Sequence, residues 1–281
     1  MNRSVSKGTS TQGRVLIIAG SDSGGGAGIQ GDIKTVTMLG GFAATAVTAV
    51  TVQNTRGVFA VHPIPGDIVA QQIDAVLGDI GADAIKTGML CDGDIVGAVV
   101  RTLDALPFLP PLVVDPVMIA KGGAPLLGTD AITAMKSGLF AKAALVTPNI
   151  PEAEYLTGIT IDDVDKMTRA GEALMTHGTR AVLVKGGHMP GAVIHDVLLT
   201  ARGREIFTSA RIDTPHTHGT GCALASAIAC GLAQGIEMTE SVRRARDYVH
   251  AAICSAPGFG SGHGPLDHAH VLAKVGERFP S

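Results

Sequence analysis

The chain has 281 residues, 46% hydrophobic and 17% charged, with a formal net charge of −3. That balance excludes a disordered chain and is enough for one large α/β core. Aromatic residues make up 3%, tryptophan is absent and no cluster of Lys or Arg stands out, which excludes a stacking platform or basic surface for nucleic acid and a patch for an anionic membrane.

Segment 1–13 is polar and rich in Ser, Thr and Gly. It lacks the apolar stretch of a signal peptide, so a disordered lead-in is expected before a single domain over 14–281. Val15–Ala19 reads as a strand, followed by a glycine loop and a helix with Ile29, Ile33, Val36 and Leu39 on one face. Ala46–Val52 is the next strand candidate. Ala84–Lys86, Leu112–Asp115, Leu145–Thr147 and Ala181–Lys185 are short apolar runs that end in polar residues. Helical patterns lie at Ile95–Leu106, with Asp92 as N-cap, and at Val164–His177. Ala192–Thr200 and Glu205–Ile212 read as an antiparallel hairpin around Arg202-Gly203. Gly219-Thr220-Gly221 then opens a helix with Leu224, Ile228 and Leu232 four apart, and Ser241–Ala252 is the last helix. Strands separated by single helices imply βαβ units, hence an α/β fold: a three-layer α/β/α sandwich around a mostly parallel sheet. No apolar run is long enough to span a bilayer. Cys91, Cys222, Cys230 and Cys254 are scattered without C-x-x-C spacing, which suits free thiols in a reducing cytoplasm.

In such sheets the ligand crevice lies at the carboxyl ends of the strands, so the loops there hold the candidates. The glycine loop from Ser21 to Gly28 contains a formal G-x-G-x-x-G at Gly26, Gly28 and Gly31. It begins several residues past the strand, and no acidic residue occurs between Asp32 and Asp67, so a dinucleotide site is rejected. A P-loop fails because no Gly-Lys-Ser/Thr follows. The glycines therefore point to close backbone approach to a small ligand. Gln53 at a strand end either faces water or reads one edge of a heteroaromatic ring. Asn149 and Glu152 either cap the helix that follows or suit a hydrated Mg²⁺, and taken alone capping is the stronger reading. Asp115 could add carboxylate charge. Lys185 is either a solvated lysine before a turn or a point charge for phosphate.

His218-Gly219-Thr220-Gly221-Cys222 stands at a helix N-terminus, where unpaired N–H groups attract phosphate. The same field should lower the Cys222 thiol's pKa. Cys230, further along that helix, reads as packing. His216, His218, His263, His268 and His270 lack the paired spacing of a closed zinc site, and most of them read as turn or surface residues.

Taken in order, these segments resemble the hydroxymethylpyrimidine/phosphomethylpyrimidine kinases of thiamine synthesis, in the ribokinase-like superfamily. The resemblance is carried by Ile18–Asp22, Gly24–Asp32, Val50–Thr55, Lys86–Leu90, Asp115–Met118, Thr147–Asn149 with Glu152-Ala153, Lys185–His188, His218–Cys222 and Gly262–Pro265. It implies ATP-dependent phosphorylation of 4-amino-5-hydroxymethyl-2-methylpyrimidine and then of its monophosphate. It further implies Gly219, Thr220 and Gly221 as the anion hole and Cys222 as the base. Gln53 would bind the aminopyrimidine, with Gly20, Asp32, Thr51 and Met89 near the same pocket. Lys185, Asn149 and Thr220 would serve ATP, and Asn149, Glu152 and Asp115 would organise Mg²⁺. A cytoplasmic homodimer is the implied assembly. A sister branch that phosphorylates pyridoxal has a second cysteine after the Asp-Pro-Val-Met segment. Here Ile119-Ala120-Lys121 stands there, which favours the aminopyrimidine. Ser21-Asp22-Ser23-Gly24 also departs from the Thr-Asp-Pro-Ser frequent in the family.

Overall fold

A computed structural model describes residues 12–118 and 127–274. Among these residues nine strands form one sheet. In chain order they are β1 (Arg14–Asp22), β2 (Phe42–Asn54), β3 (Gly57–Pro63), β4 (Ala84–Thr87), β5 (Leu112–Val114), β6 (Leu145–Val146), β7 (Ala181–Val184), β8 (Val193–Thr200) and β9 (Gly203–Ala210). The helices are α1 (Gly28–Met38), α2 (Gly66–Asp79), α3 (Gly93–Asp104), α4 (Thr129–Ala134), α5 (Ile150–Thr157), α6 (Val164–Met175), α7 (Thr220–Ala233) and α8 (Met238–Cys254).

The spatial order is β3-β2-β1-β4-β5-β6-β7-β8-β9. The six strands from β2 to β7 are parallel, and β3, β8 and β9 extend the sheet antiparallel at its two edges. The expected hairpin is β8–β9. Along β1 the side chains alternate between two cores, Leu16 and Ile18 on one face and Val15, Ile17 and Ala19 on the other. The first core takes residues of α2 to α6 and the second takes residues of α1, α7 and α8. This is the expected three-layer sandwich, and burial on both faces explains why the central strands read as short unbroken apolar runs.

Three elements escaped sequence reading, the six-residue α4 among them. β3 is an edge strand with most of its residues exposed, so it shows no alternation. α2 buries only Gly66, Val69 and Ile73, too sparse a stripe to announce itself. The face expected for α1 holds for Val36, with Ile29 and Leu39 packed against the core, but not for Ile33. Ile33 is exposed, whereas Gly31, Asp32, Thr35 and Val36 point inward. The polar residue turns inward because it has a buried partner, described below. α7 is enclosed on nearly all sides, from Ala223 through Gly231, as befits a helix wedged between the sheet, α1 and α8.

After β1 the chain crosses to β2 on one side, and β4 then joins β1 on the other. The switch point, where a crevice opens, therefore lies between β1 and β4 at their carboxyl ends. No helix among the described residues is long and apolar enough to cross a membrane.

Candidate active site

Asp22 closes β1 and organises the glycine loop. Its carboxylate accepts from the N–H groups of Gly24 (2.8 Å), Gly26 (3.2 Å) and Ala27 (2.8 Å), and its Oδ2 lies 2.8 Å from His218 Nε2. Burial opposes the charge, but His218 and these amides outweigh it and hold the carboxyl below its ordinary range. Gly28 follows with φ +55°, and a β-carbon there would lie 2.4 Å from the Gly20 carbonyl oxygen. Gly219, the N-cap of α7, has φ +87°, and a β-carbon there would lie 1.9 Å from the Gly26 carbonyl oxygen. Gly28 and Gly219 thus serve close approach of backbone to backbone, loop against helix turn.

Gly219→Ala should cost about 1–2 kcal/mol for the left-handed conformation alone, and more for the displaced loop. Urea unfolding is the check. An unchanged midpoint would show that the loop yields freely.

Thr220 and Gly221 form the first turn of α7, with Thr220 Oγ1 donating to the Thr217 carbonyl at 3.1 Å. Facing Gly221 is Lys185, at the end of β7. Its Nζ would lie 3.3 Å from a β-carbon on Gly221, and Asp115 Oδ2 3.7 Å from it. Lys185 Nζ donates to Asp115 Oδ1 at 2.8 Å, and Thr147 Oγ1 donates to the same oxygen at 3.1 Å. Burial opposes the charge on Lys185, but Asp115 and Glu152 raise its pKa above the ordinary value. A cation and the amides of a helix N-terminus therefore converge at one point.

Asn149 and Glu152 form a capping box on α5. Asn149 Oδ1 accepts from the Glu152 N–H at 2.9 Å, and Glu152 Oε2 accepts from the Asn149 N–H at 2.8 Å. Glu152 Oε1 also accepts from the Met118 N–H at 3.2 Å, which ties α5 to the segment after Asp115. Burial raises the Glu152 carboxyl, helped by Asp115 and opposed by Lys185. Two buried carboxylates thus share one lysine. Among the described residues no group of three His, Cys, Asp or Glu side chains converges on a metal position. The donor set of two carboxylates and an amide, with capping duties on two of them, fits a hydrated Mg²⁺ held largely through its waters.

Beneath the first turn of α7 lies a buried ion pair that sequence reading missed. Lys86 Nζ donates to Asp32 Oδ2 at 2.7 Å with both side chains fully buried, and Ser226 Oγ donates to Asp32 Oδ1 at 2.7 Å. Asp32 therefore holds Lys86 and α7 together and does not line the substrate pocket, which corrects that expectation. Burial pushes the Asp32 carboxyl up and works against the charge on Lys86. Asp32, Cys222 and Asp115 outweigh burial at Lys86 and keep it protonated. With a donor on each carboxylate oxygen, the ionised pair is the state the geometry supports.

Cys222 sits above this pair, four residues before Ser226 on the same helix. The expectation of a lowered thiol pKa is overturned. Although the residue keeps some open surface, dense surroundings push the thiol up to about 11; Lys86 pulls down, Asp32 and Asp115 push up. Cys230 is buried, in line with a packing role.

The pocket residues cluster at the switch point. Gly20 packs directly under Met89, whose Cε would meet a Gly20 β-carbon at 2.6 Å. The Met89 carbonyl accepts from Thr48 Oγ1 at 2.6 Å. Thr51 Oγ1 donates to the Ser21 carbonyl at 2.9 Å, and Gln53 Oε1 lies 3.2 Å from Thr51 Oγ1. The other end of the Gln53 amide lies 3.2 Å from His218 Nε2. A bulge between Val52 and Gln53 turns this side chain. The structure thus brings Gly20, Thr51, Gln53 and Met89 together, and adds Asp22 and His218. His218 is half-buried in this network and His268 is buried against Tyr248, so neither is the turn or surface residue expected. Burial lowers the His268 pKa to about 4. The signal for Asp22 was there to read, an Asp two residues before a glycine run. Ala120, which bears on the pyridoxal alternative, lies outside the described residues.

A family model described as phosphomethylpyrimidine kinase matches residues 22–267. The thiamine biosynthesis bifunctional protein ThiED of Geobacter sulfurreducens is 48% identical over 267 residues, 95% of this chain and 54% of that protein, so the chain spans about half of that relative's length. The hydroxymethylpyrimidine/phosphomethylpyrimidine kinase of Haemophilus influenzae is 47% identical, covering 91% of this chain and 96% of the relative. Among solved structures, an ADP complex of Bacillus subtilis pyridoxal kinase superimposes with a TM-score of 0.86 at 34% identity, covering 92% of this chain and 98% of the other.

Proposed function

The chain belongs to the phosphomethylpyrimidine kinase family, and from that premise we propose that it transfers the terminal phosphoryl group of ATP to 4-amino-5-hydroxymethyl-2-methylpyrimidine and then to the monophosphate so formed. The reading takes 14–281 as one kinase domain. The observation that carries it is the meeting of Lys185 with the first turn of α7. Phosphoryl transfer asks little covalent chemistry of a protein and much positioning and charge stabilisation. The amides at Gly219, Thr220, Gly221 and Cys222 would receive the transferring oxygens, and Lys185 would share their charge. Mg²⁺, held through waters by Asp115 and Glu152 with Asn149 beside them, would neutralise phosphate charge. Gln53 would hold the pyrimidine against Met89 and Gly20, and Cys222 would take the alcohol proton. The exposed Val50, Val52 and Phe59 at the β2–β3 edge support a homodimer. Four free thiols support a cytoplasmic setting.

A second reading, pyridoxal phosphorylation, is favoured by the structural match to a pyridoxal kinase, but that match carries 34% identity against 47–48% for the two pyrimidine-pathway relatives. The test is ATP turnover coupled to three acceptors: the aminopyrimidine alcohol, its monophosphate and pyridoxal. Turnover with both pyrimidines should exceed that with pyridoxal. Pyridoxal as the preferred acceptor would overturn the proposal.

A further inference from the structure

Two contacts of the Gln53 amide decide which way round it sits. Exchanging the oxygen and nitrogen of a Gln side chain leaves its shape unchanged, so the neighbours must settle the matter. On one side is His218 Nε2, which also lies 2.8 Å from Asp22 Oδ2. A carboxylate that already receives three backbone N–H groups can only accept, so Nε2 carries a proton aimed at Asp22. The opposite tautomer would set a lone pair against a carboxylate. That one hydrogen is shared between Asp22 and the Gln53 atom 3.2 Å from Nε2; a protonated Nε2 has no lone pair to accept with, so the Gln53 atom facing it is the acceptor, the amide oxygen. On the other side is Thr51, whose single hydroxyl hydrogen goes to the Ser21 carbonyl at 2.9 Å. A carbonyl cannot donate, so Thr51 Oγ1 has only lone pairs left for Gln53. The Gln53 atom 3.2 Å from Thr51 Oγ1 must be the amide nitrogen. The His218 contact selects this orientation, and the Thr51 contact agrees with it when the hydroxyl hydrogen takes the shorter of its two contacts, to Ser21.

We propose that His218, braced by Asp22, and Thr51 are positioning residues that lock the Gln53 amide with its oxygen toward His218 and its nitrogen toward Thr51, and so make the pocket select an amino-bearing pyrimidine edge over the corresponding oxo edge. The inference rests on the reading of Gln53 as the residue that meets the ring. A primary amide offers two acceptor lone pairs and two N–H donors. The two neighbours use one of each, which leaves one acceptor and one donor side by side. That pair complements an exocyclic amino group next to an unprotonated ring nitrogen. An oxo ring with a ring N–H presents the reverse order. To receive it the amide would have to turn over, setting N–H against N–H at His218 and lone pair against lone pair at Thr51. Unpaired buried polar groups of this kind carry the strongest substrate discrimination.

The experiment compares kcat/KM for the 4-amino substrate and its 4-oxo analogue in the wild type, His218→Phe, Thr51→Val, the double variant and Gln53→Ala. The wild type should prefer the amino compound by about 10²-fold or more. Each single variant should narrow that ratio about tenfold through KM for the pyrimidine, with KM for ATP held, and the double variant should narrow it further. A purely structural role for His218 would lower both substrates alike and leave the ratio intact. Thermal unfolding reports whether each variant folds, and Thr51→Val, nearly isosteric, carries the test if His218→Phe does not. A ratio unchanged in the folded variants, with Gln53→Ala still weakening the amino compound, would overturn the lock and spare the reading of Gln53. Amino-substrate affinity unchanged in Gln53→Ala would overturn both.

Discussion

Cys222→Ala is expected to slow phosphoryl transfer to the hydroxymethyl alcohol by about 10²-fold, the lower end of general-base contributions, while transfer to the monophosphate falls less than about tenfold. The difference follows from the acceptors. An alcohol must lose its proton as it becomes a phosphate ester, whereas a phosphate monoester, with a second pKa of about 6, is already largely ionised at neutral pH. The lower end applies because the helix field does not win at this site. That field is typically worth 0.3–1 kcal/mol, and the rise of the thiol from 9.0 to about 11 corresponds to a net opposing effect of about 3 kcal/mol. In the ligand-free protein Cys222 is then held as the thiol at neutral pH. Single-turnover assays with each acceptor at saturating ATP make the comparison. Equal losses in both steps would show that Cys222 shapes the anion hole and does not handle the proton.

The sandwich was legible because its central strands are buried on both faces and end in polar residues at one rim. Ala84–Thr87 and Leu112–Asp115 carry that signature outright. β3 was not legible because an exposed edge strand needs no apolar alternation. In the site, the Gly219–Cys222 turn and Gln53 could be found from local sequence, since a glycine-bracketed helix start and an amide at a strand end are local facts. Lys86 could not. A lysine at the end of an apolar run reads as the place where a strand meets water, and its partner Asp32 lies 54 residues away. His218 reads as a turn residue until Asp22, 196 residues earlier, is brought against it. The sign of the Cys222 shift depends on burial and on Asp32 and Asp115, which only the folded chain assembles around the sulfur.

Lys86→Met should cost more stability than any other single change considered, about 3–5 kcal/mol, the range for removing one member of a buried ion pair. Both side chains are fully buried, and among the described residues the only other donor to the Asp32 carboxylate is Ser226. Burial already pushes the Asp32 carboxyl up, and Lys86 is the main influence holding it down. Without Lys86 the folded-state pKa must rise further above the unfolded value near 3.8. A carboxyl whose folded pKa is raised contributes its stability below the unfolded pKa and loses it as pH climbs through the folded pKa. The deficit of Lys86→Met should therefore be smallest near pH 4 and grow toward neutrality as the unfolded state ionises and the folded state resists. Lys86→Met combined with Asp32→Asn removes the stranded charge, so it should recover much of the loss and flatten this added pH dependence. Urea unfolding of the three proteins at pH 4.5 and pH 8 makes the comparison; a single and a double variant with the same midpoint at both pH values would rule out a charge origin for the loss. The double variant has a further use. It is the form in which folding is restored but the cation beneath Cys222 is still missing, so a slow alcohol step that persists there, beside a near-normal monophosphate step, would assign Lys86 a part in the chemistry separate from its part in the fold.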